Sequence, residues 1–120
     1  MLRGTDTIWI AAAMTEGDRA VARLGVTEAE GFRVHLLALD EDDRTAHYDE
    51  VCNTALWFAH HGLFDPVYAP AWPPGWVEGP WAAYRRVNRV FADAVVRDAP
   101  EDAVVLVQDY HLCLVAAEIG

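Results

Sequence analysis

Three apolar runs of strand length constrain this chain most: Ile8 to Met14, Phe32 to Leu39 and Ala103 to Gln108. None is joined to the next by a hairpin signal, and about sixty residues rich in helical pattern separate the second from the third. Strands linked through helices imply crossover connections, and crossovers place neighbouring strands parallel. The expected fold is therefore α/β, a Rossmann-like parallel sheet with flanking helices. The second and third runs lead into aspartates, Asp40 and Asp109. In an open parallel sheet, ligands gather at the carboxyl ends of the strands.

At 120 residues the chain is one domain at most, and 53% hydrophobic against 23% charged residues is a folding composition. Nine basic residues face 19 acidic ones, a formal charge of −10, so a nucleic-acid backbone would meet net repulsion and is not an expected partner. Cys52 and Cys113 lie 61 positions apart with no metal or redox spacing, and both read as buried free thiols. The amino end lacks a signal-peptide pattern and no run of about 18 apolar residues occurs. A cytoplasmic protein with no membrane association is the expectation.

The first helix pattern spans roughly Thr45 to His60, with Tyr48, Val51, Cys52, Ala55, Leu56 and Ala59 at three-and-four spacing. "DEDDR", residues 40 to 44, reads as a solvated loop before it. "GLFDPVYAPAWPPGW" reads as an ordered loop anchored by aromatics. A second helix is expected to open at Gly79 and Pro80 and to run to Asp98 ahead of Pro100. It sets Trp81, Tyr84, Asn88, Phe91 and Val95 on one face, with Arg85, Arg86 and Arg89 on the other flank. Asn88, polar on an apolar stripe, reads as a hydrogen-bonded structural amide.

Asp109 has two readings, a carboxylate that accepts hydrogen bonds from vicinal sugar hydroxyls or a cap for the helix that follows. His111 could act as a general base, but an imidazole bonded to neighbouring backbone is the simpler reading. His60 and His61 diverge by about 100° on a helix and do not chelate as a pair four apart would, so no metal is expected. No nucleophile elbow, P-loop or dinucleotide fingerprint is found, and no cofactor is implied.

The runs "YDEVCNTALWFAHHGLFD", "WAAYRRVNRVFADAV" and "VLVQDYHLCLV" occur in the order and spacing of the trehalose-6-phosphate synthases, which this chain resembles over roughly residues 45 to 118 and more weakly at "IWIAAAM". These are retaining glycosyltransferases of family 20 that join glucose from a nucleotide sugar to glucose 6-phosphate. By that resemblance Tyr48 and Asp109 contact glucose 6-phosphate and Trp57 is tied to selection of the α-anomer. The corner, often H-D-Y-H in the family, is Gln108-Asp109-Tyr110-His111 here.

The resemblance further implies a two-domain GT-B enzyme with a nucleotide-glucose donor mostly on the second domain. The family's leading strand, its glycine-rich turn and the second domain have no counterpart in the sequence, so the chain is expected to be a partial amino-terminal domain, inactive alone. Exposed apolar surface near the carboxyl end, and a homo-oligomer formed through it, are expected. A non-catalytic sugar-phosphate-binding module, or a synthase with another acceptor, is the alternative. On a straight α-helix Tyr48 and Trp57, nine residues apart, fall on opposite faces. Either the helix begins after Tyr48, the preferred expectation, or Trp57 acts from the far side of a bend.

Overall fold

The computed structural model describes residues 7–63 and 72–120. Strand β1 (Ile8–Ala12) pairs in parallel with β3 (Phe32–Leu37), in register from Ile8↔Arg33 to Ala12↔Leu37, as the first two apolar runs predict. The connection holds α1 (Glu16–Ala22), which Thr15 opens with a capping box. The Thr15 hydroxyl accepts from the Asp18 amide at 3.1 Å, and the Asp18 carboxylate accepts from the Thr15 amide at 2.8 Å.

The sheet is mixed rather than purely parallel. Strand β2 (Val26–Ala29), outside the three apolar runs, runs antiparallel to β3 in a hairpin and gives the order β1-β3-β2, which corrects the expectation of a purely parallel sheet. The two-residue turn is Glu30-Gly31, with φ of 52° and 81°. Both central residues are left-handed, as a hairpin turn matched to strand twist requires; glycine adopts this freely and Glu30 does not.

One unbroken helical run follows β3. It comprises α2 (Glu41–Thr45), a π-helical segment (Ala46–Leu56) and α3 (Trp57–His60). "DEDDR" is thus a capped helix start, not a loop: the Asp40 carboxylate accepts from the amides of Asp42 and Asp43, each at 3.1 Å. Glu41 pairs with Arg19 and Arg44, and Arg86 holds Asp43 in a fork at 2.6 and 2.9 Å, so α1, α2 and the later helix that carries Arg86 are clasped together. The helix also begins before Tyr48, against expectation.

Helix α4 (Pro80–Asp98) has the predicted limits, with Gly79 at the cap and Pro80 in the first turn. Its buried residues join two apolar clusters. Val87, Phe91, Ala92 and Ala94 pack with Leu37, Leu39 and Val115 against the sheet. Tyr84 packs with Val51 and Cys52 of the π-helical segment, and Leu56, Trp76 and Trp81 close around them. Near the carboxyl end of α4 the buried His35 imidazole meets Asp98, flanked by Arg97. Burial pushes the Asp98 carboxyl up, but hydrogen bonds from Arg97 and His35 outweigh it and leave it below the usual carboxylate range. No helix among the described residues is long and apolar enough to cross a membrane.

The third expected strand does not form. Residues 103–108 carry no ladder, and Val104 and Leu106 are 86% and 90% exposed. A strand exists only when its N–H and C=O groups find a neighbour, and this run is not on the outer edge of β1. Beyond it, the helix expected from His111 is a 3₁₀ turn (Tyr110–Leu112) followed by α5 (Val115–Glu118). The aromatic loop lies outside the described residues from 64 to 71. Its described end keeps Trp72 edge-on to Trp76, which stacks on Trp81.

Candidate functional site

The Asp-Tyr-His corner is held by side chains rather than by a sheet. Tyr84, fully buried, donates its hydroxyl to the Tyr110 carbonyl at 2.7 Å and accepts from the Cys113 amide at 3.2 Å. Asn88, one turn on, donates to the carbonyls of Tyr84 at 2.9 Å and His111 at 3.3 Å, and its side-chain oxygen accepts from the Leu114 amide at 3.0 Å. Asn88 is therefore the structural amide its place on the stripe predicts. From the π-helical segment, His47 Nε2 reaches the His111 carbonyl at 2.8 Å while its ring stacks on Tyr84.

Electrostatics keep this cluster neutral. Burial lowers the His47 pKa, so the ring is uncharged near neutrality and donates from Nε2–H to the carbonyl. Burial pushes the Cys52 thiol up to about 12 and raises the Tyr84 phenol as well. Cys52 is a buried free thiol as expected, whereas Cys113 is exposed, because the turn that carries it lies at the surface.

Asp109 sits on top of this platform with φ 68° and ψ 173°, a region natural to glycine and strained for other residues. One carboxylate oxygen accepts from the Tyr110 amide at 2.7 Å, so the capping reading holds. The side chain is nevertheless 49% exposed and has acceptor capacity left for a ligand. Its other oxygen lies 3.8 Å from His111 Nδ1. Among the described residues the His111 ring bonds no backbone group, contrary to its simpler reading: Nε2 is buried without a partner there, and the ring stacks on Tyr48 and Tyr110.

Tyr48 is exposed, with its ring centre 5.6 Å from that of His111, so residues distant in sequence meet at one surface. Trp57 stacks on His61 at 4.3 Å, and His60 tilts against Tyr110 at 5.3 Å. The π-helical segment explains how Tyr48 and Trp57 can serve one side of a straight helix. The Trp57 amide bonds the Cys52 carbonyl five residues back, and the Thr54 hydroxyl bonds the Asp49 carbonyl at 2.7 Å. In such an i→i+5 ladder two turns take about nine residues, so positions 48 and 57 fall near one line instead of opposite each other.

The wider turn also shifts the buried set. His47, Val51, Cys52 and Ala55 face inward, while Tyr48 and Ala59 do not. Sequence reasoning missed His47 and placed Tyr84 only on an apolar stripe. A buried tyrosine needs a partner for its hydroxyl, and that requirement was the available signal. What the surface offers is a carboxylate, a phenol and stacked rings, groups suited to sugar hydroxyls and the apolar faces of a sugar ring. No cluster among the described residues could hold a metal ion.

The model of glycosyltransferase family 20 matches residues 1–119, a span that takes in the mixed α/β sheet and the Asp-Tyr-His corner, and this chain belongs to that family. Within it the likeness is to trehalose-6-phosphate synthases. One from Mycobacterium sp. (strain JLS) is 38% identical over 89 residues, 73% of this chain and 17% of that protein. Another, from Mycolicibacterium vanbaalenii, is 31% identical over 118 residues, 96% of this chain and 22% of that protein. The chain thus spans about a fifth of the length of these relatives. The apo structure of OtsA superposes with a TM-score of 0.66 at 20% identity, over 95% of this chain and 30% of that one. A trehalose-6-phosphate synthase with bisubstrate glycomimetics gives 0.65 at the same identity.

Proposed function

We propose that this chain is the acceptor-side part of a trehalose-6-phosphate synthase with two-domain GT-B organisation, and that it binds glucose 6-phosphate between Tyr48 and Asp109. The observation that carries the reading is the Tyr48–His111 stack, which puts an exposed phenol beside an exposed carboxylate. The carboxylate accepts hydrogen bonds from two vicinal sugar hydroxyls, so the phosphate end, repelled by it, lies away from Asp109. The Tyr48 hydroxyl donates to the acceptor, and Trp57, on the same line of the helix, discriminates the α-anomer.

In the complete enzyme the acceptor hydroxyl attacks the donor glucose from the face the diphosphate leaves, and a phosphate oxygen of the donor takes the proton. Residues of this chain then act by positioning, and the nucleotide-glucose donor sits mostly on the second domain. Two free thiols fit a reducing cytoplasm.

Titrating the chain with glucose 6-phosphate while following backbone amides by NMR tests the reading. Saturable shifts centred on Tyr48 and residues 109–111, lost in Asp109→Ala, are expected. Absence of shifts, or shifts that survive Asp109→Ala, would sink it. A module that binds but serves no transfer would show the same shifts, yet would fail to restore turnover when combined with a donor domain.

A further inference from the structure

We infer that Tyr84 is a positioning residue for the Asp109 carboxylate, acting through the backbone of the corner; this rests on the acceptor-site reading above. Asp109 occupies a backbone region that is strained for a non-glycine residue and persists only where the surroundings over-determine it. Its own contact, the carboxylate to the Tyr110 amide, is local and exposed. It cannot by itself hold a peptide that solvent would also satisfy.

What over-determines the corner lies beneath it. The peptide joining Tyr110 to His111 is fixed by the Tyr84 hydroxyl, the next carbonyl by His47 and Asn88, and the amides of Cys113 and Leu114 by Tyr84 and Asn88. Among the described residues, Tyr84 alone grips both ends of the turn, Tyr110 and Cys113. Its ring stacks on Trp81 at 4.9 Å and on His47 at 5.3 Å, which holds the phenol oxygen in place. Helix α4, which touches no proposed substrate atom, thereby sets where the carboxylate stands. His47 and Asn88 assist at the carbonyl of His111 and do not reach Tyr110.

Tyr84→Phe removes one oxygen and keeps the stack. Losing the two bonds frees the Tyr110 peptide, lets Asp109 relax toward negative φ and moves its carboxylate off the acceptor. Affinity for glucose 6-phosphate is expected to fall about three- to tenfold, the range for an ordinary hydrogen bond. Val87→Ala, a neighbouring core truncation on α4 that touches no corner bond, is expected to lower thermal stability more and leave affinity unchanged. Equal loss of affinity in both variants would reduce Tyr84 to a core residue and overturn the inference.

A second readout is independent of any ligand. Backbone chemical shifts and the amide–Hα coupling of Asp109 report its φ directly. Tyr84→Phe is expected to abolish the left-handed signature seen in the parent chain, and retention of that signature would overturn the inference. If the parent chain shows the signature and loses it in Tyr84→Phe, yet binds no glucose 6-phosphate, the acceptor reading fails while the mechanical link stands.

Discussion

Residues 103–108 and residues 109–114 follow one another in the chain, an apolar run and the Asp-Tyr-His corner it leads into, and they meet opposite fates. In the second segment the carbonyls of Tyr110 and His111 and the amides of Cys113 and Leu114 bond buried side chains of α4 and the π-helical segment. In the first, Val104 and Leu106 point almost wholly into solvent and no ladder forms. The exposed segment, Ala-Val-Val-Leu-Val-Gln, is the more apolar of the two, so hydrophobicity does not decide which is held. The difference is whether partners exist for the backbone, and only a stretch whose polar groups are satisfied can be held in a strained, function-ready shape.

Tyr84→Ala should break the comparison most severely. It empties a fully buried aromatic site and strands two backbone groups of the corner, and a loss of about 3–5 kcal/mol in urea unfolding is expected. Asn88→Ala follows, at about 1–3 kcal/mol, because the Leu114 amide loses its acceptor and the His111 carbonyl keeps only His47. Either variant with parent-like stability would show that the corner is not held as described.

A smaller effect comes from pH. Burial lowers the His47 pKa from 6.5 in the folded chain, so the unfolded chain binds more protons between that lowered value and 6.5. Stability contributed by His47 is complete above about 6.5 and is lost as the pH falls through its folded value. His47→Gln, which can still donate to the His111 carbonyl, should flatten that part of a stability-versus-pH curve. An unchanged slope would assign the loss to other groups.

Least of all should Leu106→Ser matter to the fold: within about 0.5 kcal/mol, since the side chain is already in water. Its expected consequence is reduced self-association in sedimentation, because an exposed, unpaired apolar run is a ready template for another chain. A large loss of stability from this substitution would mean that the run is packed after all.

How far the sequence was legible follows the same division. Helix α4 could be read because proline at its first turn, the apolar stripe and the proline beyond its end all agree, and the structure reproduces its limits. The β1–β3 pair was legible as apolar runs. The hairpin into β3 was not, since Glu30-Gly31 lacks the usual Asn-Gly or Asp-Gly signal and β2 has only four residues. The π-helical segment was illegible in principle to an argument built on 3.6 residues per turn, which therefore exchanged His47 for Tyr48 as the inward residue. Asp109 was located by its place after an apolar run, although that run forms no strand; its positive φ and its support by Tyr84, 25 residues upstream on α4, lay where no local pattern could show them.

Amide hydrogen exchange across residues 103–115 tests the central contrast most directly. The account predicts that the Cys113 and Leu114 amides are protected by Tyr84 and Asn88, while those of Val104 to Val107 exchange at close to unfolded rates. Uniform protection across both segments, or exposure of Cys113 and Leu114 as rapid as that of the preceding run, would contradict it.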